Sequence, residues 1–314
     1  MLPAESLRRS RPMLACFLLV ATSAACGTRL SRVQGVIRTA GSDTMVNVAQ
    51  AWAEAYANVE PAVSIEVAGG GSATGIAALI DGAADFANCS RQVETGEIAA
   101  ARQKTGLEPT EWIVGHDALA IYVHRDNPLN EISLEQLARI YRRGGDVTRW
   151  SQIGVRLPGS ASDEIILISR QSNSGTYQYF RHAVLGPKED LRPGTRDLNG
   201  SKEVVSLIGT TPGAIGYSGM GYATAEVKML RVASSEGGPA YGPTLENATQ
   251  GKYPIARPLY VYTLGEPRGA ARSYLNWMLA APGQRVVAAS GYVPVARGEE
   301  VHGRSPGGAG IERQ

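Results

Sequence analysis

Short runs of β-branched and apolar residues alternate along the chain with segments in which apolar residues recur at helical spacing. The runs 36–39 and 64–67 are followed by helical patterns over 46–56 and 74–80. In the first of these patterns Val46, Ala49, Trp52, Ala53 and Tyr56 fall on one stripe, suited to lie against a sheet. Strand followed by amphipathic helix, repeated, predicts an α/β fold with a mostly parallel sheet and helical crossovers. Two runs, 117–124 and 257–264, are longer, rich in β-branched and aromatic residues, and followed by turn chemistry. No internal repeat interrupts this body.

The two ends differ from the middle. Arg8, Arg9 and Arg11 precede an apolar run over 13–21 and a small-residue ending, Ser23-Ala-Ala-Cys26, which reads as a secretory signal over 1–26. The apolar run falls far short of the ~20 residues that span a bilayer. Cys26 looks like the acylated cysteine of a bacterial lipoprotein, with Ser23 standing where leucine is usual; ordinary cleavage near Ala25 is the competing reading. Residues 27–34 read as a tether, and 298–314, with a Ser-Pro-Gly-Gly-Ala-Gly run, as a disordered tail.

Composition narrows the class. With 314 residues and 43% hydrophobic content the chain can bury a sizeable core. Removing Arg8, Arg9, Arg11 and Glu5 from 31 basic and 29 acidic residues leaves the signs balanced. Without a basic stripe the chain is not suited to nucleic acid. Of three cysteines, Cys16 lies in the signal, Cys26 at its end, and Cys89 has no intramolecular partner, so no disulfide framework or cysteine metal site can form.

The candidate chemistry sits in three segments, Gly41-Ser-Asp-Thr44, Gly69-Gly-Gly-Ser-Ala-Thr-Gly75 and Arg170-Gln-Ser-Asn-Ser-Gly-Thr176, each of which follows a strand-like run and opens a helical one. Helix N-termini offer unpaired N–H groups to an anion, although Ser, Thr and Asp are also ordinary helix caps. Arg170 adds a fork suited to phosphate or carboxylate, and Ser90-Arg91 adds a further hydroxyl and guanidinium. The glycine run lacks the Gly-Lys-Ser/Thr ending of a P-loop. Gly216-Tyr-Ser-Gly-Met220 is not a nucleophile elbow, no Ser-x-x-Lys pair occurs, and His116, His124, His182 and His302 lack metal-ligand spacing.

Four motifs, taken in order, carry a resemblance: Gly41-Ser-Asp-Thr-Met-Val46, Gly69-Gly-Gly-Ser-Ala-Thr-Gly-Ile76, Arg170-Gln-Ser-Asn-Ser-Gly-Thr-Tyr177 and Pro212-Gly-Ala-Ile-Gly-Tyr217. Through them, over 36–295, the chain resembles the phosphate-binding proteins of high-affinity phosphate ABC transporters, the PstS-like branch of the periplasmic binding proteins. The resemblance implies a two-lobed, type II periplasmic binding protein fold, each lobe a mostly parallel sheet flanked by helices. Lobe I would take 35–120 with 261–297 and lobe II 121–260, with 117–124 and 257–264 as the two hinge strands.

Carried over onto matching positions, the phosphate contacts fall on Ser42, Thr44 and the Met45 amide, on Ser72, on Ser90 with Arg91 beside it, and on Arg170, Ser174, Gly175 and Thr176. The matching stretches 134–150 and Tyr253-Pro-Ile-Ala-Arg-Pro258 read as architectural. Ser90 departs from the pattern: many members carry an aspartate there, whose carboxylate accepts the proton of hydrogen phosphate and so excludes sulfate. Asp43, Asp85 and Asp117 are the carboxylates that could stand in, and Cys89 reads as a small buried residue.

The resemblance also implies a binding protein and not an enzyme, with no cofactor or metal. Its partners would be inorganic phosphate and the transmembrane permease subunits of an ABC transporter, from a periplasmic or cell-surface, lipid-anchored position, as a monomer. Two other readings stay open: a receptor for another oxyanion such as sulfate or a phosphate ester, and a surface sensor or adhesin on the same fold. A secreted phosphatase lacks a nucleophile with its base, or a metal cluster.

Overall fold

The computed structural model describes residues 35–159 and 162–295; the signal, Cys26, the tether and the tail expected at 298–314 lie outside the described residues. Strand β1 (Gly35–Gly41) leads into α1 (Val46–Ala57), β2 (Val63–Ala68) into α2 (Ser72–Ile80), and β3 (Phe86–Cys89) into α3 (Thr95–Thr105). β1 pairs in parallel with β2 on one side and β3 on the other, as the alternation predicts. Helix α1 buries Val48, Ala49, Trp52 and Tyr56, so the stripe turns toward Val48 while Val46 and Ala53 stay half-buried. Trp52 Nε1 donates to the Gly283 carbonyl at 2.9 Å, and the Tyr56 ring packs 4.8 Å from that of Tyr274.

After β4 (Pro109–His124) come β5 (Glu131–Ser133), α4 (Leu134–Tyr141), β6 (Ile166–Arg170), α5 (Gly175–Phe180), β7 (Arg196–Leu198), α6 (Ser201–Gly209), β8 (Ala214–Gly219), β9 (Val227–Met229), β10 (Arg231–Ala233), β11 (Ala240–Tyr241), α7 (Leu245–Thr249), β12 (Ala256–Leu264), α8 (Gly269–Leu279) and α9 (Ala281–Ala289). One sheet runs in the order β2-β1-β3-β12-β4-β8-β6-β7, with β9 also on β4; β5, β10 and β11 form a small second sheet.

Strand β4 is twice as long as the sequence pattern suggests. The run 117–124 is only its second half, and it begins at Pro109. Residues 109–118 pair antiparallel with β12, which puts Arg257 directly opposite Asp117, and 119–123 pair antiparallel with β8. One strand therefore belongs to both parts of the sheet.

The cores explain why 117–124 reads as an unbroken apolar run. Leu119, Ile121 and Val123 join Leu137, Tyr141, Trp150, Phe180 and Tyr217 on one face. Ala120 and Tyr122 join Ile168, Val204 and Ile208 on the other. A strand covered on both faces has no polar alternation to show. In the first half of β4, Trp112 and Val114 pack with Trp52, Phe86, Val261 and Tyr274, while Ile113 lies against a smaller cluster with Ile76, Leu79, Tyr260 and Tyr262. Among the described residues no helix is long and apolar enough to cross a membrane.

Trp52 joins α1 to the turn that starts α9, so its loss removes both a large packed ring and a buried hydrogen bond. Trp52→Ala is expected to lower unfolding free energy by about 3–5 kcal/mol, read as a shift of the urea midpoint at unchanged slope; a shift below about 1 kcal/mol contradicts this account of the core.

Candidate functional site

The loops after β1, β2, β3 and β6 meet near the middle of the sheet, where β12 and β4 lie side by side. Gly41 makes the first approach possible. Its φ is +134°, and a Cβ there would stand 2.3 Å from the Asn88 carbonyl oxygen. The Ser42 N–H then donates to that carbonyl at 2.8 Å, tying the end of β1 to the end of β3. This brings Ser42 Oγ within 2.9 Å of Ser90 Oγ. Ser72, which opens α2, accepts the Ser90 N–H at 3.2 Å and stands 3.5 Å from Ser90 Oγ.

From the other part of the sheet, Thr176 in the first turn of α5 reaches Thr44, with 2.7 Å between their hydroxyls. Ser174 caps that helix, its Oγ accepting the Thr176 N–H at 3.1 Å. Gly175 closes against the hydroxyl set: a Cβ there would lie 2.4 Å from Ser72 Oγ and 2.7 Å from Ser90 Oγ. Ser42, Thr44, Ser72, Ser90, Ser174 and Thr176 are all buried.

Most of these hydroxyl oxygens are already used as acceptors. Ser72 Oγ takes the Ser90 N–H, Ser90 Oγ takes the Ser42 hydroxyl, Ser174 Oγ takes the Thr176 N–H, and the threonine oxygens take protons from Arg257. What the set keeps to offer is its hydroxyl protons, less the one Ser42 gives to Ser90 and the one spent between Thr44 and Thr176. A cluster of buried donors without matching acceptors suits an oxyanion.

The other positions named from sequence do different work. The Met45 N–H donates to the Ser42 carbonyl at 2.9 Å, and its side chain is buried in the core with Trp52 and Phe86. The Arg170 guanidinium binds the Leu198 and Asn199 carbonyls, Ser201 Oγ, and Asp43 Oδ2 at 2.7 Å, so its fork is filled by protein. Burial lowers its pKa, and the Asp43 charge opposes that shift. Arg91 pairs with both Glu97 oxygens at 2.8 and 2.7 Å. Burial acts to lower the Arg91 pKa, but Glu97 outweighs it and the net direction is upward.

Arg257, read from sequence as architectural, sits within the hydroxyl cluster. Its Nη2 donates to Thr176 Oγ1 at 3.0 Å, to Thr44 Oγ1 at 3.3 Å and to Asp117 Oδ2 at 2.9 Å. The signal for it was present: a charged residue opens each of the two long apolar runs, and buried charges of opposite sign on adjacent strands must pair. Each of the three arginines near the site thus has its own carboxylate: Asp43, Glu97 or Asp117.

That arrangement also answers where the candidate carboxylates lie. Asp85 is exposed and accepts the Arg38 N–H at the far end of the strand. Asp43 takes the Gly70 N–H on one oxygen and Arg170 on the other, and Asp117 takes the Met220 N–H and Arg257. Cys89 is fully buried beside Ser90; burial pushes its thiol pKa far up, which keeps it protonated and unreactive. A cavity of about 340 Å³ adjoins the cluster at Ser90 and Arg257, walled by Arg91, Tyr179 and Tyr260. No group of three or more potential metal ligands occurs among the described residues.

Comparison with known proteins places this geometry in a family. A model of the PBP superfamily domain matches residues 27–282. Phosphate-binding protein PstS of Pseudomonas aeruginosa is 38% identical over 278 residues, 85% of this chain and 85% of that protein. Protein SphX of Synechococcus elongatus is 30% identical over 302 residues, 92% of this chain and 86% of its own length. Among solved structures, a substrate-binding protein of Clostridium perfringens with phosphate bound superposes at a TM-score of 0.73 with 27% identity, covering 83% of this chain and all of that one. An ABC-type phosphate transport receptor from Vibrio cholerae gives 0.64 and 25%, covering 82% and 100%.

Gly175→Ala puts a methyl group among the Ser72 and Ser90 hydroxyls with no backbone strain to confuse the reading. It is expected to weaken oxyanion binding roughly 10- to 100-fold, equivalent to ~1–3 kcal/mol of overpacking. Calorimetry on the folded variant measures this, and unchanged affinity would show that the space beside Gly175 is not used.

Proposed function

This chain belongs to the PBP superfamily, in the branch of the phosphate-binding proteins of ABC transporters, and from that premise we propose that it captures inorganic phosphate outside the cytoplasm and passes it to a permease. One observation carries the reading: five buried hydroxyls, Thr44, Ser72, Ser90, Ser174 and Thr176, follow the ends of four strands and converge on one space. Ligand binding at strand ends, between two parts of an open α/β sheet, follows the general rule for such folds.

In this reading the parts are two lobes, 35–120 with 261–297 and 121–260, joined through β4 and β12. The separate pairs of cores on the two halves of β4 support that division. Closure brings Ser42, Thr44, Ser72 and Ser90 of one lobe against Ser174, Gly175 and Thr176 of the other. Contacts already span the two sides: Asn173 Nδ2 to the Gly70 carbonyl at 3.0 Å, Tyr222 hydroxyl to the Asp43 carbonyl at 2.6 Å, and Arg170 to Asp43. These hold the closed form, so Arg170 acts as a clasp between lobes as well as a source of positive potential, and Arg91 adds to that potential from the cavity wall.

The phosphate charge falls on hydrogen-bond donors, since the nearby arginines are each matched by a carboxylate. Hydrogen phosphate brings one proton of its own, and a hydroxyl oxygen with a second lone pair takes it where other family members use an aspartate. A neutral acceptor penalises sulfate less than a carboxylate does. No covalent step is part of the function, and the chain acts as a monomer held at the membrane through Cys26.

Titration of the secreted chain, stripped of co-purified anion by partial unfolding, is expected to show tight phosphate binding with weaker competition by sulfate. Thr176→Val should cost roughly 10- to 100-fold in phosphate affinity, the equivalent of ~1.5–3 kcal/mol for a hydrogen bond to a charged group. Equal affinity for both anions makes the protein a general oxyanion receptor, and binding of neither favours a sensor or adhesin. For the anchor, a bacterial host fed labelled fatty acid is expected to label the wild-type chain and not Cys26→Ser; an unlabelled, released wild type rules the anchor out.

A further inference from the structure

We infer that Arg257, held by Asp117, is a positioning residue for oxyanion binding: it fixes the Thr44 and Thr176 hydroxyls of the two lobes in place and anchors them to the strands that join the lobes. The inference rests on the phosphate reading above. Arg257 on β12 and Asp117 on β4 are register partners across the antiparallel pair. Both are buried, and Nε and Nη2 grip Asp117 Oδ2 at 3.2 and 2.9 Å, while Asp117 Oδ1 is held by the Met220 N–H at 3.2 Å. The guanidinium cannot swing away without leaving a carboxylate unpaired in the core.

A pair whose only task was neutralisation would need no more than that grip. Here the remaining contacts run to the ligand cluster: Nη2 to Thr176 Oγ1 and Thr44 Oγ1, and Nη1 to the Ser90 and Gly175 carbonyls at 3.0 and 3.3 Å. Those four residues come from the loops after β1, β3 and β6. The guanidinium fills an acceptor position on each threonine and one threonine hydroxyl donates to the other, so the threonine that accepts both bonds has only its own proton left for the ligand. Thr44 and Thr176 bond each other across the lobes, so one cation sets both sides of the closed site. The Arg257 fork is itself packed 5.3 Å over the Tyr179 ring, whose hydroxyl donates to the Ala256 carbonyl next to it on β12.

Two variants separate positioning from stability. Arg257→Lys keeps a cation beside Asp117 but loses the planar fork. The double variant Arg257→Gln with Asp117→Asn removes both charges and keeps a hydrogen-bonded neutral pair. Phosphate affinity by calorimetry and the ligand-free thermal midpoint are measured for both, with the wild type alongside. At least one variant is expected to unfold cooperatively yet bind phosphate about 30- to 100-fold more weakly than wild type, comparable to losing one or two charge-assisted hydrogen bonds. A cooperatively folded variant that binds within about threefold of wild type overturns the inference. Failure of both variants to fold overturns it as well, because the pair is then a stability element alone. A wild type that binds no phosphate removes the phosphate reading instead, and the two failures are read on different samples.

Discussion

A buried guanidinium facing a buried carboxylate across two adjacent strands is the constraint around which this molecule is arranged. Arg257 and Asp117 are each almost without solvent contact, and neither could stay charged there without the other. The pair faces across a register that runs from Ala256 to Leu259 on β12, and a bulge between Leu259 and Tyr260 shifts the pairing by one residue beyond it. The unused N–H groups of the arginine then draw in the loops after β1, β3 and β6. The ion pair and the loops that carry the hydroxyl cluster are thus joined through one side chain.

The same economy appears in the other two arginines. Arg170 bonds Asp43, Ser201 and two carbonyls, and Arg91 bonds Glu97 and its neighbour's carbonyl while its buried Nε has no hydrogen-bond partner. Each spends its charge on protein, which leaves the centre of the site to neutral hydroxyls. In the proposed function the anion meets, in this form, hydroxyls whose positions the protein's own hydrogen bonds already hold. Gly41 and Gly175 matter for the side chain they lack: one lets β1 graze the end of β3, and the other leaves room for two serine hydroxyls.

Much of this was legible in the chain. The alternation of strand-like and helical runs foretold the parallel β2-β1-β3 unit, and the three loop motifs foretold where hydroxyls would gather. Ser42, Thr44, Ser72, Ser90, Ser174, Gly175 and Thr176 all come together at the sheet's centre, because local cues such as caps and strand-to-helix turns fix which way a short polar side chain faces. The first half of β4 was less legible. Its residues 109–116 mix apolar with polar positions, as a strand flanked by thinner cover does, and no local signal joins it to the apolar run that follows.

The fold class, the loops where the hydroxyls gather and the family were readable from the chain alone, since these depend on periodicity and on short motifs that act within a few residues of themselves. What the long charged side chains do depends on how distant segments pack. An arginine reaches far enough to choose among many partners, so Arg170 found Asp43 from another loop, and Arg257 found Asp117 and the two threonines. Those choices are set by which strands lie side by side and which oxygens remain unsatisfied once the core has closed, and neither is a property of any single stretch of chain.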